Sequence, residues 1–315
     1  MSTYTTQTAI GEREQLADVI FRIDPDETPI FSALKKETTN GIFTEWQTQE
    51  LAAAANNNFH TEGADATYAA ATPTVRLGNY HQISQKAVTV SKTLDVVEKA
   101  GRDREVQYQK VLKSLELRRD IEKSIGDTDQ ARSGSDPRKS ASLTTWITNG
   151  SLGGGATFSA GTGTGVVSAG TDRALTLALI ETSMQEAWTD GGNPSLMVCS
   201  ATNRANFSDL SASGNLVSND VNMTQAKATT YVGSTSVFLT DFGTLDVAPS
   251  RFLGNDRIFL LDPDFASIGT LNGRNFAENE IAPTGDAEKF QIITEWALKV
   301  QAPKAHAMIM DLSGS

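Results

Sequence analysis

The sequence predicts an α+β protein, and three observations carry that reading. Residues 41–91 read as one long two-armed β excursion, Leu94 to Ile125 reads as a single helix, and the second half of the chain alternates helical and strand periods. A single period throughout would have pointed to an all-α or all-β architecture; the change of period along the chain is what sets the class.

Residues 1–40 form an N-terminal arm with a small apolar anchor, Ile20-Phe21-Arg22-Ile23-Asp24-Pro25-Asp26-Glu27-Thr28-Pro29-Ile30-Phe31. The two prolines limit regular structure there, while Ile20, Phe21, Ile23, Ile30 and Phe31 need an apolar cover, as in a docking segment. In the excursion at 41–91 the first arm, Ile42 to Leu51, alternates loosely between apolar and polar, and the return arm runs from about Val75 to Val90. At roughly 3.3 Å per residue the return arm alone would span about 50 Å, more than the radius of a domain of this size. The tip between them, Ala52 to Ala71, consists mainly of Ala, Asn, Gly and Thr with Phe59 and Tyr68 as its bulky apolar groups. The excursion is therefore expected to contact a neighbouring subunit rather than its own core. The candidate inter-subunit contacts are Ile30, Phe31, Trp46, Leu51, Phe59 and Tyr68.

At 1.5 Å rise the helix from Leu94 to Ile125 would be about 48 Å long. Leu94, Val97, Tyr108, Val111, Leu112, Leu115, Ile121 and Ile125 form its apolar stripe. Asp95 suits its positive start, Arg118, Arg119 and Lys123 its negative end, and Gly126 is its stop. A charged connector (127–139) and a Gly/Ser/Thr-rich stretch (149–170) follow, the latter read as a flexible loop or a crossing between domains.

From Thr171, Leu177, Ile180, Met184, Ala187 and Trp188 share one helical face, Gly191-Gly192 ends that helix, and Ser195 to Ser200 reads as a buried strand. A short helix over Ala201 to Leu210 comes next. Strands are expected at Ala228–Val232, Thr235–Thr240, Thr244–Ala248, Arg257–Leu261 and Ala266–Leu271. The last segment has the cleanest alternation: Phe290, Ile292, Thr294, Trp296, Leu298 and Val300 on one face, Lys289, Gln291, Glu295, Lys299 and Gln301 on the other. Trp296 is expected in the core. A turn at Pro303-Lys304 leads to another strand ending near Asp311, predicting a terminal β hairpin that packs under the long helix. The domain reading is thus 1–40 arm, 41–91 extended loop with its return strand, 92–165 first domain with the helix, 166–284 second domain, and 285–315 hairpin returning to the first.

Composition narrows the function classes. With 315 residues, 39% hydrophobic and 21% charged, the chain fits a globular protein with real cores. Its start lacks a secretory signal and no apolar run approaches membrane-spanning length, so a cytoplasmic place of synthesis and no membrane partner are expected. A formal charge of −11 argues against gripping nucleic acid, which needs clustered Lys and Arg, yet suits a wall to which DNA does not adhere. Cys199, the single cysteine, excludes an internal disulfide and reads as buried core rather than a nucleophile.

The search for chemistry names no catalytic, cofactor-binding or metal-binding residue. His60, His81 and His306 have no metal-ligand spacing. The run Gly161-Thr162-Gly163-Thr164-Gly165 lacks the third glycine of a dinucleotide fingerprint. Asp24-Pro25-Asp26 starts like a calcium loop, but Pro29 stands where the turn glycine is needed and Lys35 where the bidentate glutamate belongs. Glu278 and Glu280, or Asp262 and Asp264, read as solvated loop charges.

The order of parts resembles the major capsid proteins of tailed double-stranded DNA bacteriophages with the Hong Kong 97-type fold. A narrower sub-family is suggested by Glu27-Thr28-Pro29-Ile30-Phe31, Phe43-Thr44-Glu45-Trp46, Glu62-Gly63-Ala64-Asp65, Asp241-Phe242-Gly243, Leu260-Leu261-Asp262-Pro263 and Pro283-Thr284-Gly285-Asp286-Ala287, in that order across nearly the whole chain. Asp241-Phe242-Gly243 also occurs in kinases, but no glycine-rich loop followed by its lysine accompanies it. The resemblance implies an N-terminal arm, an extended β loop, a peripheral domain with a long spine helix and an axial domain. It further implies self-assembly as hexamers and pentamers into an icosahedral head in the bacterial host cytoplasm, enclosing double-stranded DNA without sequence-specific binding and without a cofactor. Portal, scaffold or cement proteins are the further partners it suggests. Some members carry a long cleavable scaffolding segment, for which the roughly 40 residues before the extended loop leave no room. Others crosslink an extended-loop lysine, and residues 41–85 contain none. The alternatives are an encapsulin-like compartment of the same fold and, from another class, a soluble enzyme with an unrecognised site.

Overall fold

The computed structural model describes residues 20–66, 68–213, 237–283 and 285–314. The strand expected at Ala228–Val232 lies outside the described residues. The described chain opens with a short helix, α1 (Pro29–Ala33), in a segment expected to be irregular. Proline fits the first helical turn because no intrahelical partner awaits an N–H there. The carboxylate of Glu122 accepts the N–H groups of Ile30 (3.0 Å) and Phe31 (2.7 Å), closing the helix start from outside. Strand β1 (Lys35–Thr39) follows, then the ribbon strands β2 (Phe43–Thr48) and β3 (Val75–Tyr80).

The long return arm is two strands. After β3 the chain breaks at His81 and continues as β4 (Gln82–Ser91), which joins a different sheet. The expected single helix is also two: α2 (Lys92–Val96) and α3 (Glu105–Gly126). Between them Gly101 takes φ +76, a left-handed conformation open to glycine without penalty. Lys99 Nζ bonds the terminal carbonyls of α2, and Asp95 Oδ1 accepts the N–H of Val106 (3.1 Å), so one residue of α2 caps the start of α3. Ile121 and Ile125 of the expected stripe are buried, and so are Val106 and Leu117, which the stripe left out, whereas Leu94, Val97 and Val111 are exposed.

The next elements are β5 (Asn149–Ser151), α4 (Leu177–Thr189), β6 (Leu196–Cys199) and α5 (Ala201–Ser213). Ile180, Met184 and Ala187 face the core, but Trp188 lies outside it, against Phe242 at 5.6 Å. The glycine-rich stretch is tied rather than loose. Asp311, itself at φ +58, accepts the N–H groups of Gly153 and Gly170 at 2.8 Å each, and Ser159 Oγ donates to Thr145 O at 2.8 Å. The remaining strands are β7 (Val237–Thr240), β8 (Gly243–Pro249), β9 (Arg257–Leu261), β10 (Ala266–Leu271), β11 (Ala277–Ile281), β12 (Ala287–Val300) and β13 (Ala307–Met310).

Three sheets result. The first runs β1-β10-β12-β11 with β4 on the other side of β12; the second runs β5-β13-β9-β6-β8-β7; β2 and β3 form a separate ribbon. The expected terminal hairpin is therefore corrected: β12 belongs to the first sheet and β13 to the second, where it pairs with β5 and β9. The short 3-10 turn Pro303–Ala305 between them redirects the chain instead of folding it back. Because side chains alternate across a strand, the second sheet serves two cores. Met197, Cys199, Ile258, Leu260, Ala307 and Ile309 pack on one face with α4 and α5. Val198, Phe259, Leu261, Met308 and Met310 pack on the other with α3 and the Trp296 face of β12.

Candidate functional site

The candidate surface is built on the β2–β3 ribbon, and its root is fastened by residues of several elements. Asn79 is fully buried: Nδ2 donates to Ser140 Oγ (3.0 Å) and Leu298 O (2.6 Å), and Oδ1 accepts the Ala141 N–H (3.0 Å). Every polar atom of that amide works, which is the condition for burying it without a net cost. His81 Nε2 lies 2.7 Å from Thr39 Oγ1, which in turn donates to Thr270 O. Across the ribbon Phe43 faces Tyr80 with ring centroids 4.4 Å apart, and Gly78 sits directly under the Phe43 ring, where a Cβ would come within 2.7 Å. The Arg132 guanidinium lies over the Phe43 ring at 5.5 Å and donates to Gly78 O.

Farther out the support thins. Trp46, opposite Leu77, packs on Trp146 at 5.3 Å, and Lys304 pairs with Glu50 at 2.9 Å. Thr74 donates to Gln47 (3.0 Å) and Gln49 to Thr72 O (3.2 Å). Beyond that rung, the hydrogen bonds among the described residues of 51–71 stay within the tip, as in Ala64 N to Thr61 O. Leu51 is 98% exposed, Phe59 80% and Tyr68 92%, so none of the three has an intramolecular apolar cover. Burying such side chains fully is worth roughly 1.5 to 3 kcal/mol each, which a lone subunit leaves unrealised.

The other three candidates are placed differently. Ile30 is buried in its own subunit under α3, Phe31 is half-buried edge-on to Phe276 at 6.4 Å, and Trp46 is half-buried on Trp146. The docking of Ile30 and Phe31 is intramolecular, with Glu122 supplying the polar partner, whereas Ile20, Phe21 and Ile23 of the same segment stay exposed. The wholly outward reading of 41–91 is corrected in the same way: β4 pairs with β12 from Ala287↔Ser91 to Trp296↔Gln82, inside the subunit's own sheet. Outward apolar groups missing from the candidate set include Phe21 and Ile23 on the arm and Val237 and Leu239 on strand β7. Period-two alternation in β7, with Phe238 buried between them, is the signal that marks the last two.

The arrangement offers binding area rather than reactive groups. Among the described residues there is no group of three or more His, Cys, Asp or Glu side chains that could hold a metal. Burial pushes the Cys199 thiol up to about 11, far from a thiolate at neutral pH. Burial lowers His81, lowers His306 to about 4, and raises Glu122, so each is disfavoured in its charged form. No helix among the described residues is long and apolar enough to cross a membrane.

With this geometry established, similarity to known proteins identifies the chain. The family model for the SU10 major capsid protein matches residues 2–313. The major capsid protein of Escherichia phage Phieco32 is 38% identical over 115 residues, covering 36% of this chain and 33% of that relative, so the match spans about a third of its length. The Cyanophage A-1(L) capsid asymmetric unit superimposes with a TM-score of 0.67 at 14% identity, covering 98% of both chains. The phage G gp27 major capsid protein structure, solved with gp26 decoration proteins, gives 0.57 at 10% identity over 99% and 100%. The SrpI encapsulin complex of Synechococcus elongatus PCC 7942 gives 0.60 at 10% identity over 97% and 94%, so fold alone does not separate the two kinds of shell. The match along residues 2–313 makes that separation: the fold is of the Hong Kong 97 type, and the chain belongs to the SU10 major capsid protein family.

Proposed function

We propose that this chain is the shell subunit of a tailed-phage head, assembling as hexamers and pentamers into an icosahedral wall around double-stranded DNA, within the host cytoplasm. The observation that carries the reading is the tip at 51–71: a firmly rooted ribbon holds Leu51, Phe59 and Tyr68 away from their own core, in a form completed by a second copy. Repetition of one patch around local symmetry axes makes individually modest contacts cooperative, so assembly depends steeply on concentration. The charge of −11 fits a wall that does not adhere to the genome it encloses. Scaffold, cement and portal proteins are the partners such a wall would take.

Deletion of residues 52–71 tests this. The expected result is a folded subunit with an unchanged unfolding midpoint that forms no stable shells by electron microscopy, under conditions in which the full chain, with any co-encoded scaffold, assembles. Shells of normal stability from the deleted chain would remove the tip from the assembly surface.

A further inference from the structure

Three Asn-Gly pairs occur in the sequence: Asn40-Gly41, Asn149-Gly150 and Asn272-Gly273. Asparagine followed by glycine is chemically labile, because no side chain shields the glycine nitrogen from the asparagine carboxamide. The fold treats the three pairs very differently.

Asn149 is held. It lies in β5 beside β13, its Nδ2 donates to Asp190 Oδ2 (2.8 Å) and Lys304 O (2.9 Å), and the Gly150 N–H donates to Glu186 Oε2 at 2.8 Å. The attacking nitrogen and the amide it would attack are thus both engaged. Asn40 and Asn272 are exposed, and among the described residues neither their carboxamides nor the N–H groups of Gly41 and Gly273 have a hydrogen-bond partner. They are also neighbours. Thr39 pairs with Leu271 in the parallel β1–β10 ladder, and Asn272 N donates to Thr39 O at 2.9 Å, so both pairs leave the sheet at the same end. That end is where the chain enters β2, at the root of the ribbon.

We infer that Asn40 and Asn272 form a spontaneous deamidation site at the ribbon root, while Asn149 is protected by the fold. The glycine nitrogen attacks Asn Cγ, the new N–Cγ bond closes a succinimide, and the Cγ–Nδ2 bond breaks with release of ammonia, which carries away the glycine N–H proton. Water then opens the ring. Cleavage at Cγ leaves aspartate; cleavage at the main-chain carbonyl leaves isoaspartate, with the backbone routed through Cβ and Cγ. Either product adds a negative charge, and the second lengthens the main chain, between β1 and β2 at Asn40 and between β10 and β11 at Asn272.

The test is incubation of the purified full chain at mildly alkaline pH, sampled over time, with peptide mapping by mass spectrometry and a parallel sample in urea. In urea all three sites convert. In the native protein Asn40 and Asn272 convert at rates close to those in urea, while Asn149 is at least about tenfold slower, because it reacts only through local opening of β5. Equal native conversion of all three sites would overturn the inference. So would native protection of Asn40 and Asn272 alongside conversion in urea.

Discussion

Strand β12 and the β2–β3 ribbon both alternate, cleanly in β12 and loosely in the ribbon, yet they occupy opposite situations. β12 has β4 along one side and β10 with β11 along the other, and both of its faces are covered: Trp296 and Leu298 in the core, Glu295 clamped between Arg138 (3.3 Å) and Arg274 (2.9 Å). The ribbon strands pair only with each other, and cover fades from Asn79 at the root to Phe59 at the tip. Alternation states that one face of a strand must be dry. It does not state whose atoms dry it. In β12 the rest of the subunit does so; at the tip none of the described residues does, and the stability of the monomer should be indifferent to what the tip carries.

Four measurements break or sharpen that contrast. Trp296 is 1% exposed and its Nε1 donates to Ser84 Oγ at 3.0 Å. Trp296→Ala should cost about 3 to 5 kcal/mol, enough to threaten folding of the subunit, read by chemical denaturation. An unchanged midpoint would place β12 in the same class as the tip.

The next effect depends on pH. Buried His306 accepts the Asp262 N–H at Nδ1 (3.1 Å), and burial holds its pKa near about 4. With the folded value below the unfolded one, the unfolded chain binds the extra proton. The stabilisation is complete above the ordinary histidine range and is lost as pH falls towards about 4, by about 3 kcal/mol in all. His81 shifts in the same direction and adds to the slope. His306→Gln should flatten the stability profile between neutral and acidic pH; identical slopes for the variant and the parent would refute the assignment.

Glu122→Ala removes the acceptor for the buried Ile30 N–H and the half-buried Phe31 N–H at the start of α1 and for Ser250 Oγ (3.3 Å), at a cost of about 2 to 3 kcal/mol. Glu122→Gln keeps one acceptor oxygen and should lose about 1 kcal/mol. If the two variants proved equally stable, α1 would not depend on this cap. Smallest of all, Phe59→Ser should move the unfolding midpoint of the unassembled subunit by no more than about 0.5 kcal/mol. A larger loss would mean that the tip packs on its own chain after all.

Much of the architecture was legible because local chemistry and tertiary packing agreed. Strong alternation placed β12, turn residues bracketed β9 and β10, and the last two stripe positions on α3, Ile121 and Ile125, pointed inward as their spacing required. Errors arose where a distant residue overrode the local signal. The return arm was divided because Asn79 and His81 bond to Ser140, Leu298 and Thr39, all remote in sequence. Residues 149–170 lost their apparent looseness to Asp311. Of the candidate contacts, Leu51, Phe59 and Tyr68 are outward, whereas Ile30, Phe31 and Trp46 found cover that no local window contains.

The sequence by itself determined elements with a strong local period, such as β9, β10, β12 and α4, which face of β12 must be dry, and that a small-residue tip would have little with which to build a core of its own. Periodicity and side-chain chemistry are local properties, and they survive without knowledge of the partners. Only the tertiary structure decided that β12 and β13 part company into different sheets, that Glu122 starts α1 from another helix, and that the ribbon is pinned at one end and bare at the other. Those outcomes depend on residues tens to hundreds of positions apart meeting within hydrogen-bond distance, such as Asn79 with Leu298. The alternation of one strand contains no information about which distant group will satisfy it.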